Sequence, residues 1–255
     1  TKNLNVSYGN TDIIKNLNLN IPKGKITTII GANGCGKSTI LKTIGRIISP
    51  NSGKIYINGE DIYKKKSKEI AKDMAVLPQS PQAPSGLTVS ELISYGRFPH
   101  KSGFGNSSKE DREIVNWSLE VTGIAEFKDR NMEDLSGGQR QRAWIAMALA
   151  QETDILLLDE PTTYLDLAHQ LEILKLLDEL NKKQGRTIVM VIHELNNAAR
   201  FADHMIGIKK GKIVCEGDAY DVMTKDNLKE LFNIDAEIAT DPRTNKPICI
   251  TYDMV

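Results

Sequence analysis

Gly31-Ala32-Asn33-Gly34-Cys35-Gly36-Lys37-Ser38, with Thr39 behind it, commits this chain to one kind of architecture. The run fits the phosphate-loop pattern, two spaced glycines followed by lysine and a hydroxyl residue. Glycines let backbone N–H groups turn inward around phosphate oxygens, where side chains would obstruct them. Residues 25–30 ahead of the loop are rich in β-branched side chains. Behind it, Ile40, Leu41, Ile44, Ile47 and Ile48 recur at helical spacing. The expected unit is therefore strand, glycine loop and helix, the helix starting at Lys37 with its positive end toward the bound anion. Gly31, Asn33, Gly34, Cys35, Gly36, Lys37, Ser38 and Thr39 are the candidate phosphate-binding residues. Lys37 reaches the terminal phosphates, and the Ser38 hydroxyl suits Mg²⁺.

Working outward, residues 155–158 and 187–192 are almost wholly apolar, as strands covered on both faces are. The first run ends at Asp159 and Glu160. A carboxylate closing a buried strand suits Asp159 to hold Mg²⁺ through water, and places Glu160 to polarise an attacking water. Residues 205–208 and 212–215, joined by Lys210-Gly211, form an expected hairpin. Residues 53–59 alternate apolar and polar like one antiparallel strand. Between 90 and 151 helical periodicity takes over, with Val115, Leu119, Val121 and Ile124, then Trp144, Ile145, Met147, Ala148 and Leu149. Leu171, Leu174, Leu177 and Leu180 line a further helix that starts near Asp166 and stops at Gly185. Lys64, Lys65, Lys66 and Lys68, offset by Glu60, Asp61 and Glu69, form an expected solvated face.

These signals predict an α/β fold: a P-loop NTPase (RecA-like) core with an antiparallel β-subdomain and an inserted α-helical subdomain. Residues 1–83 and 152–217 are expected to form the ATP-binding core with its β-subdomain. Residues 84–151 form the helical part, and 218–255 a short C-terminal extension.

Charge and composition narrow the function. The 255 residues carry 33 Lys+Arg against 33 Asp+Glu, and a neutral balance argues against a protein that mainly grips nucleic acid. No apolar run approaches the ~20 residues of a membrane helix. No basic-then-apolar leader opens the sequence, so nothing suggests secretion. The three cysteines, Cys35, Cys215 and Cys249, lack metal-ligand spacing and suit a reducing cytoplasm. His100, His169 and His204 are scattered and do not pair as metal ligands.

Leu135-Ser136-Gly137-Gly138-Gln139-Arg140-Gln141-Arg142 is a second small-residue turn ahead of a helix, again suited to an anion. A chain with two such turns binds two anions, or presents the second turn to a neighbour's nucleotide. Arg140 and Arg142 are expected to be surface charges. At this run the sequence resembles the ATP-binding cassette ATPases, whose signature it is, and the resemblance covers essentially the whole chain. It implies ATP and Mg²⁺, and a homodimer in which Ser136, Gly137, Gly138 and Gln139 close over ATP held by the opposing copy. It further implies that Tyr8, in Val6-Ser7-Tyr8-Gly9, stacks on adenine. Gln79, in Leu77-Pro78-Gln79-Ser80, would contact Mg²⁺ and the attacking water, Asp166 would line the dimer seam, and His193 would contact the γ-phosphate. Ser38, Gln79 and Asp159 are the metal-site residues, and Glu160, His193, Gln79 and Lys37 the catalytic ones. Ala32 stands where many relatives carry proline, and Glu194 where Asp is common. Neither change removes a group that performs chemistry.

DNA-acting relatives insert a long coiled coil between loop and signature, and residues 39–134 show no sustained heptads. Ribosome-acting relatives usually carry two cassettes, whereas this chain has one loop and one signature. A transport motor is the expectation. Tyr95-Gly96-Arg97-Phe98-Pro99-His100, residues 162–170, residues 196–204 and the segment from Asp241-Pro242 to Pro247 look like the ATPases of iron-chelate, haem and vitamin B12 importers. Within that group the likeness is to the hydroxamate-type iron(III)-siderophore ATPases of Gram-positive bacteria. The resemblance implies two membrane-spanning permease subunits, the groove from Gln79 to His100 receiving a short cytoplasmic permease helix. It also implies an extracytoplasmic substrate-binding lipoprotein, no nucleic acid, and a peripheral position on the cytoplasmic face of the membrane. Haem or cobalamin cargo, or a non-transport role on DNA or ribosomes, are the alternatives.

Overall fold

The computed structural model describes residues 1–101, 108–163 and 165–255. Two antiparallel strands, β1 (Lys2–Tyr8) and β2 (Thr11–Leu17), come first, and β3 (Ile26–Ile30), wholly buried, runs into the glycine loop and α1 (Lys37–Ile44). Then follow β4 (Ser52–Lys54), β5 (Tyr56–Ile57), β6 (Glu60–Asp61), α2 (Ser67–Asp73) and β7 (Met74–Leu77). A helical stretch holds α3 (Val89–Tyr95), α4 (Lys109–Val121) and α5 (Gly137–Ala150). After it come β8 (Ile155–Asp159), α6 (Leu167–Gln184), β9 (Thr187–Val191) and α7 (Leu195–Phe201). The remaining elements are β10 (His204–Lys209), β11 (Lys212–Gly217), α8 (Ala219–Val222), α9 (Lys225–Phe232), β12 (Ile234–Thr240) and β13 (Pro247–Met254).

The main sheet has the order β11-β10-β3-β9-β8-β7, parallel throughout except for the β10–β11 hairpin. Its inner strands are buried on both faces, β8 almost wholly apolar and β3 carrying buried Thr27 and Thr28 among its isoleucines. Leu156 and Leu158 of β8 join the cluster that includes α3, α5 and α6, while Leu157 between them joins the cluster of α1, β1 and β2. The antiparallel sheet β2-β1-β4 lies on the α1 side. Parallel strands end together, so the residues that follow β3, β7, β8 and β9 emerge along one edge. That edge carries the glycine loop, Gln79, Glu160 and His193.

Most expected elements are present, and α6 is bounded as predicted. Asp166 caps its start by accepting from His169 N, and Gly185 ends it in the left-handed conformation. Three expectations change. Helix α1 stops at Ile44, and Ile47 is 54% exposed beyond it. Arg46 takes φ 56°, and Ile47 N donates to Lys42 O while Arg46 N donates to Thr43 O, the double bond pattern that terminates a helix. Residues 53–59 form two strands. Ser52–Lys54 pairs with β1, and Tyr56–Ile57 turns through Asn58-Gly59 to pair with β6. The alternation itself survives, with Ile55 and Ile57 buried and Tyr56 outward. Among the lysines, Lys65 leaves the solvated face to bridge Glu60 at 2.9 Å and Asp73 at 3.1 Å.

Candidate functional site

The glycine loop is shaped by close approaches that no side chain would allow. A Cβ on Gly31 (φ 149°) would stand 2.2 Å from Ile208 O and 2.8 Å from Cys35 Sγ. Gly36 (φ 109°) takes the left-handed turn that starts α1. The tip of the β10–β11 hairpin props the loop from behind, Gly211 N donating to Cys35 O at 2.8 Å. Lys37 is buried, and its ammonium donates to Gly31 O at 2.8 Å and Ala32 O at 3.0 Å.

Two carboxylates face this loop. Ser38 Oγ donates to Asp159 Oδ1 at 2.8 Å, while Asp159 Oδ2 is buried without a hydrogen-bond partner. Burial pushes the Asp159 carboxyl up, against the pull of the Ser38 hydroxyl. A buried carboxylate oxygen lacking a donor, beside a hydroxyl, is a hard-oxygen set that fits Mg²⁺.

Glu160 is more tightly held. Its backbone is left-handed (φ 54°), a conformation costing a non-glycine residue about 1–3 kcal/mol unless its surroundings impose it. Here Glu160 N donates to Val191 O at 3.2 Å, anchoring the turn to β9. Glu160 Oε2 accepts from Gln79 Nε2 at 2.6 Å and from Thr163 Oγ1 at 2.9 Å. Its Oε1 lies 2.5 Å from His193 Nε2. Three elements thus converge on one carboxylate that is 8% exposed.

Asn33, Gly34, Gly36, Lys37, Ser38, Thr39, Gln79, Glu160 and His193 line one cavity of about 620 Å³, together with Ile13 and Thr163. The last two were missed. Thr163 had a signal, a hydroxyl three residues after an acid at a turn; Ile13 had none, since only the β1–β2 fold brings it there. Tyr8 stands apart, half exposed at the β1–β2 turn and outside the cavity lining. Ser136 Oγ accepts from Gln139 N at 3.3 Å and Gln139 Oε1 accepts from Ser136 N at 3.0 Å, a reciprocal cap on α5. A Cβ on Gly137 would meet nothing within 4 Å, whereas one on Gly138 would stand 3.3 Å from the His169 ring. None of these four residues lines the cavity. Asp166 also bonds His169 Nδ1 at 2.8 Å, and its bonds with His169, the backbone one foremost, hold its carboxyl below the usual range. Tyr164 lies outside the described residues.

Arg140, exposed as expected, and Arg142, half-buried, both also engage backbone carbonyls. Arg140 donates to Met132 O at 3.2 Å and Leu135 O at 3.1 Å, bracing the turn from below, and Arg142 joins Thr122 O at 3.0 Å to the Glu172 carboxylate of α6. A planar guanidinium with several donors collects the free carbonyls that loop ends leave over. Arg97 is buried, donating to Asp111 at 2.8 Å, Glu152 at 2.7 Å and Ala150 O at 2.8 Å. That guanidinium holds the Asp111 carboxyl down at about 2. Its neighbours Tyr95 and Phe98 point outward, 54% and 74% exposed.

Comparison with known proteins places this geometry among relatives. The family described as "ABC transporter" matches over residues 14–163. The chain is 66% identical over its full length to the iron(3+)-hydroxamate import ATP-binding protein FhuC of Bacillus subtilis (strain 168), covering 95% of that protein. It is 50% identical to the petrobactin import ATP-binding protein FpuD of Bacillus anthracis, over 99% of this chain and 92% of that one. Among solved structures, an ATP-binding cassette captured as a dimer after hydrolysis, with ADP and Pi, matches with a TM-score of 0.75 and 33% identity. That match covers 85% of this chain and 97% of the other.

Proposed function

Because the chain belongs to the ABC transporter family, we propose that it is the ATP-hydrolysing motor of an importer for iron(III)–siderophore complexes of the hydroxamate type. The convergence of Gln79, Thr163 and His193 on the Glu160 carboxylate carries the hydrolytic assignment. The full-length likeness to a hydroxamate import ATPase carries the cargo.

In this reading ATP enters with its phosphates in the loop, where the backbone N–H groups of Asn33, Gly34, Cys35, Gly36 and Thr39 surround them. The Lys37 ammonium exchanges its loop carbonyls for phosphate oxygens. Tyr8 stacks on adenine. Ser38, Gln79 and Asp159 would hold Mg²⁺, which supplies positive charge against the phosphate oxygens. Glu160 accepts a proton from the water whose oxygen attacks the γ-phosphorus, as the bond from that phosphorus to the β-phosphate oxygen breaks. His193 contacts the γ-phosphate, so its release is felt at the residue that also touches Glu160.

The open signature turn supports a two-fold dimer in which Ser136, Gly137, Gly138, Gln139 and Asp166 of one copy complete the site of the other. Residues 84–151 then act as a lever against the core formed by 1–83 and 152–217, with 218–255 as an extension. The aromatic rings of Tyr95 and Phe98 suit the face toward two permease subunits, and a substrate-binding lipoprotein delivers cargo outside. No helix among the described residues is long and apolar enough to cross a membrane. We assign the chain to the cytoplasmic face, held there by its permeases.

The test is uptake of a radiolabelled ferric hydroxamate by a strain lacking this chain. Wild-type protein should restore uptake and Glu160→Gln should not. Unchanged hydroxamate uptake with altered haem or cobalamin uptake would overturn the cargo and leave the motor role standing.

A further inference from the structure

Two of the runs that mark the importer class, residues 196–204 and the segment from Asp241-Pro242 to Pro247, take no part in the cleft, yet the fold brings them together. Asn196, in the first turn of α7, donates from Nδ2 to Cys249 O at 3.0 Å and accepts at Oδ1 from Cys249 N at 2.9 Å. The side-chain amide thus acts as a one-residue strand on the edge of β13. The other edge pairs with β12, where Glu237 faces Thr251 and Ile238 faces Cys249, leaving Ile250 as an extra, outward residue. Such a bulge re-aims the strand beside it. At the far end of α7, the Lys246 ammonium donates to Ala202 O, the residue that closes the helix.

The loop making these contacts is itself braced. Asp241 accepts from Arg243 N at 3.0 Å and Thr244 Oγ1 at 2.7 Å, Asp241 N donates to Lys246 O at 2.8 Å, and the Tyr220 hydroxyl donates to Asn245 O. One hairpin therefore grips α7 at both ends. The helix follows directly from His193, whose Nε2 lies against Glu160. Glu194, between them, caps the helix without a side-chain hydrogen bond, and beyond it the helix is held by buried Ala198 and Ala199 and by Asn197 donating to Gln170 Oε1 at 3.3 Å.

We infer that the β12–β13 hairpin sets the position of His193 against Glu160, with Asn196 and Lys246 as positioning residues for hydrolysis. The inference rests on the role proposed for His193. The hairpin has its own anchorage, since Ala236, Pro247 and Cys249 are buried, and α7 keeps its buried face, so removing the exposed Asn196 amide loosens only the first turn of the helix, next to His193. A displacement of about 1 Å at a reacting group can cost up to 10²-fold in rate.

The experiment is steady-state ATP hydrolysis by the full chain, with nucleotide affinity and melting temperature measured in parallel. Asn196→Ala is expected to lower kcat about tenfold while KM for MgATP and the melting temperature hold. Asn196→Gln, which keeps both donor and acceptor, should recover part of the loss, and Asn196→Asp, which lacks the donor, should not. Lys246→Met tests the other end of the helix and should give the same split. Adding Asn196→Ala to His193→Ala should cost nothing further, because both act through one contact. Unchanged kcat in both single variants, kcat and KM worsening together, or full additivity with His193→Ala each overturn the inference. A His193→Ala chain that hydrolyses normally overturns the role of His193 itself, a distinct failure that the same assay identifies.

Discussion

The glycine loop at 31–36 and the Ser-Gly-Gly turn at 136–138 share one chemistry, small residues ahead of a helix N-terminus, and the fold treats them in opposite ways. The first is walled at its root, although its tip at Ala32, Asn33 and Gly34 is exposed. Strand β3 feeds it, Ile208 O presses on Gly31, Gly211 props Cys35, and Lys37 is buried inside. The second is braced from below by Arg140 and by its own cap, with the His169 ring beside Gly138 and open space where a Gly137 side chain would stand. A turn that holds its ligand within the chain needs walls, while one that closes onto another molecule needs a firm base and an open face.

The contrast can be tested in order of expected effect. Glu160→Gln, on the walled side, should cut kcat by about 10²–10⁴ and leave ATP affinity intact, measured with a fluorescent nucleotide. Near-normal turnover would take the hydrolytic role away from this side. Ser136→Arg fills the open face without touching the loop. It should cost roughly tenfold or more in hydrolysis at unchanged ATP affinity, since only an interaction made after binding is lost. Full hydrolysis that does not depend on protein concentration would mean that the open turn serves no second molecule. Lys37→Ala should weaken ATP binding roughly 10–100-fold, because a charged hydrogen bond contributes about 1.5–3 kcal/mol. Unchanged affinity would contradict the loop assignment.

The smallest effect lies at the other end of α5 from the open turn, where Arg97, just beyond α3, pairs with Asp111 of α4 out of solvent and also donates to Ala150 O. Asp111 titrates at about 2 in the fold against an ordinary 3.8. A lowered carboxylate pKa stabilises the fold above the unfolded value, and that contribution fades as pH falls from near 4 toward 2. It amounts to about 2 kcal/mol at neutral pH. Asp111→Asn should therefore flatten the acid limb of a denaturant-stability profile between pH 4 and 2. An identical acid limb in the variant would show that the Arg97–Asp111 pair adds nothing to the stability of the helical region.

Much of this was legible in the residues. Lys210-Gly211 specified a tight hairpin, Asp166 and Gly185 bounded α6, and the apolar runs before Asp159 and His193 announced covered strands. Each rests on a short-range rule that a window of a few residues satisfies. The misses have non-local causes. Helix α1 was expected to run on because Ile47 and Ile48 kept its spacing, but Arg46 adopts a left-handed turn that its residue type does not announce. Residues 53–59 alternate correctly yet divide between two sheets, because β1 claims one half and β6 the other. Arg140 is exposed as expected, but the carbonyls that it and Arg142 engage lie on turns that the alternation of polar and apolar residues does not describe.

The residue pattern settles which chemical groups this chain owns and the local shape around each: a phosphate loop, a strand-end acid pair, a capped glycine turn. It does not settle which of them meet. Ser38 and Asp159 touch across 121 residues of chain, and Gln79 and Glu160 across 81. Those contacts exist because β7, β8, β9 and β3 lie side by side in an order different from their order in sequence, all ending along one edge. Hydrogen-bond register between strands far apart in the chain is a property of the folded sheet, and no local pattern of side chains encodes it.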